Sequence, residues 1–344
     1  MKLLFFLLSL SIGTHATCPT PCKNEAACLS QYFIGTRKVD FYSNYPLDQS
    51  NNCIEHVIVA IHGTTRDAYS RFSDLRDAVK AHNLESKTLI IAPYFKTDED
   101  NPDWNDYYWS SDGWKKGNTS NTGWRDVSSF SVTDLMLESV LSSNDFVSVN
   151  HVSITGHSAG GQYTQLYALT SPSPDNFSYL DFSFLVLNPS NYSYLNEYRP
   201  HPTTAGLFEI PVYLSGSRLK MKSPYNKTAG ECPNSYNDYK YGLNERNLYS
   251  EDISNNDLIY QYLNRHVFYF LGSLDTLQDS YLDTSCSAKI QGRYRLERGN
   301  NFFNFLNAFY YHNHELFIVD GVGHDAGKMY ASSIVQNVLL EPIK

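Results

Sequence analysis

Charged residues are scarce in this 344-residue chain. Asp, Glu, Lys and Arg together make up 18%, too few for a charged coil or a solvated tail. Positive charge is scarcer still: 27 Lys and Arg stand against 36 Asp and Glu, for a net charge of −9. Without a basic surplus nothing invites a polyanion, so no nucleic acid is expected as a partner. No apolar run approaches the length of about 18 residues that a membrane-spanning helix needs, so no membrane span is expected. No internal repeat or low-complexity tract breaks the chain. The closing Leu339-Leu340-Glu341-Pro342-Ile343-Lys344 has neither a lipid-anchor pattern nor a retention signal. What is abundant is apolar and aromatic: 42% hydrophobic residues, 15% aromatics and 27 Tyr. That is ample material for a folded core.

The first residues differ from the rest. Lys2 precedes the short apolar core Leu3-Leu4-Phe5-Phe6-Leu7-Leu8, and small residues stand at Gly13, Thr14 and Ala16. The pattern predicts a secretory signal peptide over residues 1–16, cleaved after Ala16, and hence a secreted protein or one lumenal in the secretory pathway. The six cysteines all follow it: Cys18, Cys22, Cys28, Cys53, Cys232 and Cys286. An even number behind a signal peptide predicts three disulfides, with fifteen pairings open. The first four lie within 53 residues and can pair among themselves, which leaves Cys232 to pair with Cys286. The spacings of Cys18, Cys22 and Cys28 are irregular and no neighbouring histidine completes a zinc site, so no metal is expected. Sequons at Asn118, Asn176, Asn191 and Asn226 permit glycosylation. Residues 17–39 read as a Cys-rich N-terminal segment ahead of one domain, 40–344.

Within that domain short apolar runs recur: Val57–Ile61, Thr88–Ala92, Val152–Thr155, Phe184–Leu187, Val212–Leu214, Val267–Leu271 and Leu316–Val319. They are apolar on both parities, as strands buried on both faces of a parallel sheet are. Val39–Ser43 alternates and predicts an antiparallel strand at the sheet's start. Helices are expected between the runs, among them 131–141, with Ser131 and Asp134 as a capping pair, and 159–169. The result is an α/β architecture with helices on both faces. Two stretches break the rhythm. Residues 96–127 are polar and hold all four tryptophans, Trp104, Trp109, Trp114 and Trp124. This loop is either an apolar wall for a bound group or a long loop pinned down by buried tryptophan, the second being the plainer reading. Residues 188–251, rich in Tyr, Pro and Asn, read as a cap or lid insertion.

The strongest local signal is Gly156-His157-Ser158-Ala159-Gly160, following a predicted strand and opening a predicted helix. A sharp turn there lifts a serine hydroxyl above the sheet and aims helix N–H groups at a developing oxyanion. Serine needs a base, and the base an orienting acid. His324 lies in the Gly-flanked loop Gly321-Val322-Gly323-His324 after the last strand. Asp275 follows the preceding strand in Gly272-Ser273-Leu274-Asp275, with Asp279 and Asp283 as alternatives on the same stretch. His157 is expected to point away from the serine, and His62 to serve the turn His62-Gly63-Thr64. That turn offers the backbone N–H of Thr64, or of Thr65, beside that of Ala159 as a pair of oxyanion donors. The candidate site is therefore Ser158, Asp275 and His324 with Thr64 and Ala159, and no cofactor is called for.

His62-Gly63, the run Gly156 to Gly160, Gly272-Ser273-Leu274-Asp275 and Gly323-His324, in that order along the chain, resemble the α/β-hydrolase superfamily, in its secreted serine esterase and lipase-like branch. The resemblance spans about 40–338. It implies an eight-stranded, mostly parallel sheet and acyl transfer to water through an acyl-enzyme. The tract Leu282–Ala288, with Gln291-Gly292-Arg293 and Arg298-Gly299, is similar to a subgroup of secreted hydrolases. The expected activity is cleavage of carboxylic esters, on a small-molecule or polymer substrate. A serine peptidase or amidase, or a binding protein that has lost its chemistry, are the alternatives.

Overall fold

Six of the seven expected apolar runs lie side by side in one sheet of the computed structural model. It describes residues 18–123, 126–211, 213–215, 218–219 and 232–341, with side chains left out over 212–234. The expected signal peptide lies outside the described residues. The strands are β1 (Leu29–Ile34), β2 (Arg37–Ser43), β3 (His56–Ile61), β4 (Thr88–Pro93), β5 (His151–His157), β6 (Asp181–Leu187), β7 (His266–Gly272) and β8 (Glu315–Val319). They are ordered β1-β2-β4-β3-β5-β6-β7-β8. The pairs β1/β2 and β2/β4 are antiparallel, and every other pair is parallel. Among the described residues no helix is long and apolar enough to cross a membrane.

The continuous apolar runs have a simple cause: both faces of the sheet are covered. In β3, Val57, Val59 and Ile61 enter one core, together with Phe130 and Met136 of α2 (Ser129–Leu141), Tyr163 and Tyr167 of α3 (Ala159–Thr170), Leu258 of α4 (Asn255–Asn264) and Phe302 of α5 (Arg295–Phe309). Ile58 and Ala60 enter the other, with Phe72 and Leu75 of α1 (Ala68–Ala81), Met329 of α6 (Ala326–Ala331) and Val335 of α7 (Ser333–Leu340). Each fully buried Val or Ile of this kind contributes roughly 1.5–3 kcal/mol relative to exposure.

Three expectations are corrected. The run Val212–Leu214 does not join the main sheet. Tyr213–Ser215 pairs instead with Arg218–Leu219, which pairs with Cys232–Pro233; the run is short and follows Pro211, which cannot donate to a ladder. Val212 itself lies outside the described residues. The expected boundary between residues 39 and 40 falls inside β2, and Leu29–Ile34 of the Cys-rich segment is the edge strand. Its residues alternate between exposed and half-buried, so it lacks the apolar run that betrays the inner strands. Helix α2 is capped by Ser128, whose side chain accepts from Phe130 N. Asp134 does not cap it but accepts from Tyr167, Ser171, Ser173 and Tyr249.

The disulfide Cys18–Cys53 ties the N-terminal segment to the body, and Cys22–Cys28 closes a short loop within that segment. A loop of 35 residues closed this way is worth about 4 kcal/mol in the chain-entropy picture. Cys286 is also disulfide-bonded; the expected partner, Cys232, has its side chain outside the described residues. The tryptophan loop is pinned down: Trp109 and Trp114 are fully buried and pack on Phe95, while Trp104 is exposed and Trp124 lies outside the described residues. Lys38 and Lys96 share Asp40 and Asp106 and so bolt the start of this loop to β2. Between β6 and α4 the chain makes a long excursion, anchored by fully buried Arg199, which donates to Asn196 O, Tyr198 O, Tyr236 O and Tyr241 O.

Among the described residues five histidines are buried: His56, His62, His151, His157 and His314. Burial holds His62 and His151 down at about 4 and His314 at about 3, and holds His56 and His157 well below the ordinary range. The unfolded chain therefore binds more protons than the folded one between about pH 4 and 6.5. Stability plateaus above about 6.5 and falls as the pH drops through this window, by roughly 1.4 kcal/mol per unit for each such histidine. Urea midpoints measured from pH 7 to 4.5 should decline steeply, and unfolding at pH 5 should take up more than one proton. A flat profile would contradict the burial of these rings as neutral groups.

Candidate active site

At the end of β5 the chain turns through Ser158 at φ 60° and ψ −116° and enters α3. A side chain rarely adopts this backbone, and the glycines on either side show what enforces it. A Cβ on Gly156 would stand 2.4 Å from the carbonyl carbon of Gly160, and one on Gly160 would stand 2.3 Å from Ile61 O. Ser158 N donates to Leu187 O of β6 at 2.9 Å. The turn is thus wedged between its own helix and two neighbouring strands.

His324 follows β8 and Asp275 follows β7, both at the same sheet end as Ser158. His324 Nδ1 lies 2.8 Å from Asp275 Oδ2, and Nε2 lies 2.9 Å from Ser158 Oγ. A carboxylate only accepts, so Nδ1 carries the proton and Nε2 is left to accept from the serine hydroxyl. Asp275 is 1% exposed. Its Oδ1 has no hydrogen bond and faces the Arg295 guanidinium at 3.6 Å. The loops are zipped together by Ser273 N to Val319 O and Leu274 N to Val322 O. Asn188, just after β6, accepts from Gly272 N at 2.8 Å.

The other aspartates of this stretch are not solvated loop carboxylates. Asp279 takes both terminal nitrogens of Arg295, at 2.8 and 3.0 Å. Asp283 accepts from Tyr241 and Asn191. Neither meets His324, whose carboxylate partner is Asp275. His157 does not turn clear of the site: its ring lies 4.5 Å from that of His324, centroid to centroid. Burial, and then the charge His324 would carry, keep His157 neutral. With two rings in contact, a neutral neighbour is what an imidazolium at His324 would tolerate.

Thr64 and Ala159 both face the cavity beside Ser158. Among the described residues neither backbone N–H has a protein acceptor; Ala159 is the first residue of α3, where such orphan donors are the rule. The Thr64 turn is braced from behind. Phe95 N donates to His62 Nε2, so His62 carries its proton on Nδ1 and gives it to Gly63 O at 3.0 Å. Arg66 holds Asp100 and Glu99 and donates to Thr64 O.

Two adjoining cavities share Thr64 and Tyr281 as walls. One of about 240 Å³ holds Ser158, His157 and His324. The other, of about 370 Å³, is lined by Ala159, Gln162, Asn191, Asp283 and three lysines, Lys115, Lys116 and Lys240. Among the described residues no cluster of His, Cys, Asp and Glu could hold a metal ion.

No protein-family model matches the chain, and no curated protein matches it in sequence. Solved structures do. A poly(3-hydroxybutyrate) depolymerase from Bordetella parapertussis aligns over 91% of this chain and 89% of its own, at 16% identity and a TM-score of 0.61. A poly(aspartic acid) hydrolase from Sphingomonas sp. KT-1 aligns over 90% and 98%, at 18% identity and a TM-score of 0.58.

The chain has the α/β-hydrolase fold. On this fold the C-terminal strand ends of β5, β7 and β8 bring together Ser158, Asp275 and His324, which are 49 to 166 residues apart in pairs. Sequence reasoning missed Arg295 and the lysine cavity. The only trace of the former is the tract from Gln291 to Gly299. There Gln291 clamps Tyr192 N and O, and Arg298 donates to Ser190 O and Asp283 O. The tract thus fastens the excursion after β6 to the loop after β7.

Asp279→Asn weakens two charge-assisted hydrogen bonds to fully buried Arg295. It should destabilise the fold by about 1–3 kcal/mol, measured by urea unfolding. Wild-type stability in that variant would mean that Arg295 is held by Asp275 alone.

Proposed function

We propose that this chain is a secreted serine hydrolase that cleaves carboxylic esters through an acyl-enzyme. The observation that carries this is His324, hydrogen-bonded on one side to a serine on a strained helix-entry turn and on the other to a buried aspartate. Ser158 Oγ attacks the ester carbonyl carbon while His324 Nε2 takes its proton. Asp275 holds the ring in the productive tautomer and stabilises the imidazolium, with Arg295 offsetting the buried carboxylate's remaining charge. The N–H groups of Thr64 and Ala159 receive the oxyanion, each worth about 3–4 kcal/mol of barrier if fully aligned. His324 then protonates the departing alkoxide, and water attacks the acyl-enzyme by the same route in reverse. The hydrolase names of the two fold neighbours support hydrolytic chemistry on this sheet. The polar wall of the larger cavity supports a polar ester over a long acyl chain. Disulfides and the signal-like N-terminus support secretion.

A fluorophosphonate probe should label the wild-type protein at Ser158 and leave Ser158→Ala unlabelled. A panel of 4-nitrophenyl esters and peptide amides should show ester turnover. Ser158→Ala should lose it to a small residual, and Asp275→Asn should lower kcat by about 10⁴-fold while the fold survives. Amide cleavage without ester cleavage would make the chain a peptidase, and absence of labelling would sink the nucleophile. On secretion from a eukaryotic host, exposed Asn176 should carry glycan, whereas buried Asn191 should not. Mass mapping of deglycosylated peptides distinguishes them.

A further inference from the structure

The larger cavity beside Ser158 is charged in a way that the proposed chemistry does not use. Asp112 is met by Lys240 at 2.9 Å and Lys116 at 3.0 Å. Asp283 lies 3.5 Å from Lys240 and accepts from Tyr241, Asn191 and Ser285 N. Both carboxylates are therefore already paired with ammonium groups of the protein. Lys115 is not: it reaches no carboxylate closer than 3.9 Å and, among the described residues, makes no hydrogen bond. Three ammonium groups facing two carboxylates leave one positive charge in the wall, on a protein whose net charge is −9. A cationic ligand would have to displace Lys116 or Lys240 from the carboxylates; an anion displaces nothing.

A second observation points the same way. Gln162 is 3% exposed and its Nε2 has no partner. The orientation of its amide is fixed: Asn191 must present Nδ2 to the Asp283 carboxylate, and the same Nδ2 donates to Gln162 Oε1. Gln162 therefore keeps a buried donor without an acceptor, beside the unpartnered acceptor Oδ1 of Asn191, and both residues line the cavity. Burial, reinforced by neighbouring Lys240, holds the Lys115 ammonium below its ordinary range, as expected of a cation short of a counter-charge.

We propose that this cavity is a subsite for a carboxylate carried by the ester substrate, received by Lys115 with the free donor of Gln162. Thr64 and Ala159 form part of its wall, so a group seated there belongs to the same molecule as an ester held at Ser158. The catalytic meaning of the subsite rests on the serine-hydrolase reading; the binding rests on the cavity alone.

Two matched ester pairs test it. Mono-4-nitrophenyl succinate against 4-nitrophenyl 4-methylpentanoate places the charge on the acyl side. 3-Butyryloxybenzoate against 3-isopropylphenyl butyrate places it on the leaving group. In one pair the anionic ester should be favoured in kcat/KM by about tenfold or more. The ratio should shrink in high salt, fall toward one in Lys115→Met and survive in Lys115→Arg. Hydrolysis of the neutral esters with no anionic preference in either pair overturns the subsite and leaves the hydrolase standing. If no ester is turned over, the hydrolase reading fails, and titration of monomethyl succinate into the wild-type protein decides the subsite. Binding that Lys115→Met abolishes upholds it, and absence of binding overturns it.

Discussion

Everything at this site hangs on the backbone of one residue. Ser158 sits at positive φ because the strand before it and the helix after it cannot otherwise pass each other and the neighbouring strand end. The cost of such a conformation is on the order of 1–3 kcal/mol, and it persists only where surrounding structure over-determines it. Here that structure is the close approach of Gly156 to Gly160 and of Gly160 to Ile61 and His62, together with the hydrogen bond from Ser158 N to Leu187 O. The turn thus orients a hydroxyl and a helix N-terminus together, and the packed sheet holds it at its two flanks.

Around that turn the buried charges are arranged in compensating sets. Asp275 sits between His324 and Arg295, and Arg295 is in turn held by Asp279. A carboxylate this deeply buried would be costly without a cation beneath it. The nearby buried histidines, His62 and His157, are kept neutral by desolvation, so they shape the loops without adding charge to the site. The lysine cavity is the exception, because its cations outnumber its carboxylates. That imbalance, on an acidic protein, is what suggests a ligand rather than a structural cluster.

Much of this was legible in the sequence, and the legible parts share a cause. Strands covered on both faces must be apolar on both parities, so the five inner strands β3 to β7 announce themselves, and the apolar run of β8 marks the far edge. The edge strand Leu29–Ile34 is covered on neither face to the same degree and leaves no such run. The Ser158 turn is readable because its requirements are local: a strand, a serine, a helix, and glycine where a Cβ would collide. Capping was misread at α2 because Asp134 has the right spacing for a cap, yet four hydroxyl donors claim it from outside the helix.

The sequence by itself determined the α/β alternation, the order of the strand-end loops and the residue types each loop carries. These depend on spacing and on covalent neighbours. Only the tertiary structure decided which of three nearby aspartates meets His324, since Asp275, Asp279 and Asp283 are alike in composition and differ in the direction the loop turns them. It alone placed Arg295 beneath that pair, and Lys115, Lys116 and Lys240 around one cavity. Those groups come from segments far apart in the chain, and no local pattern encodes a distance that packing between segments sets.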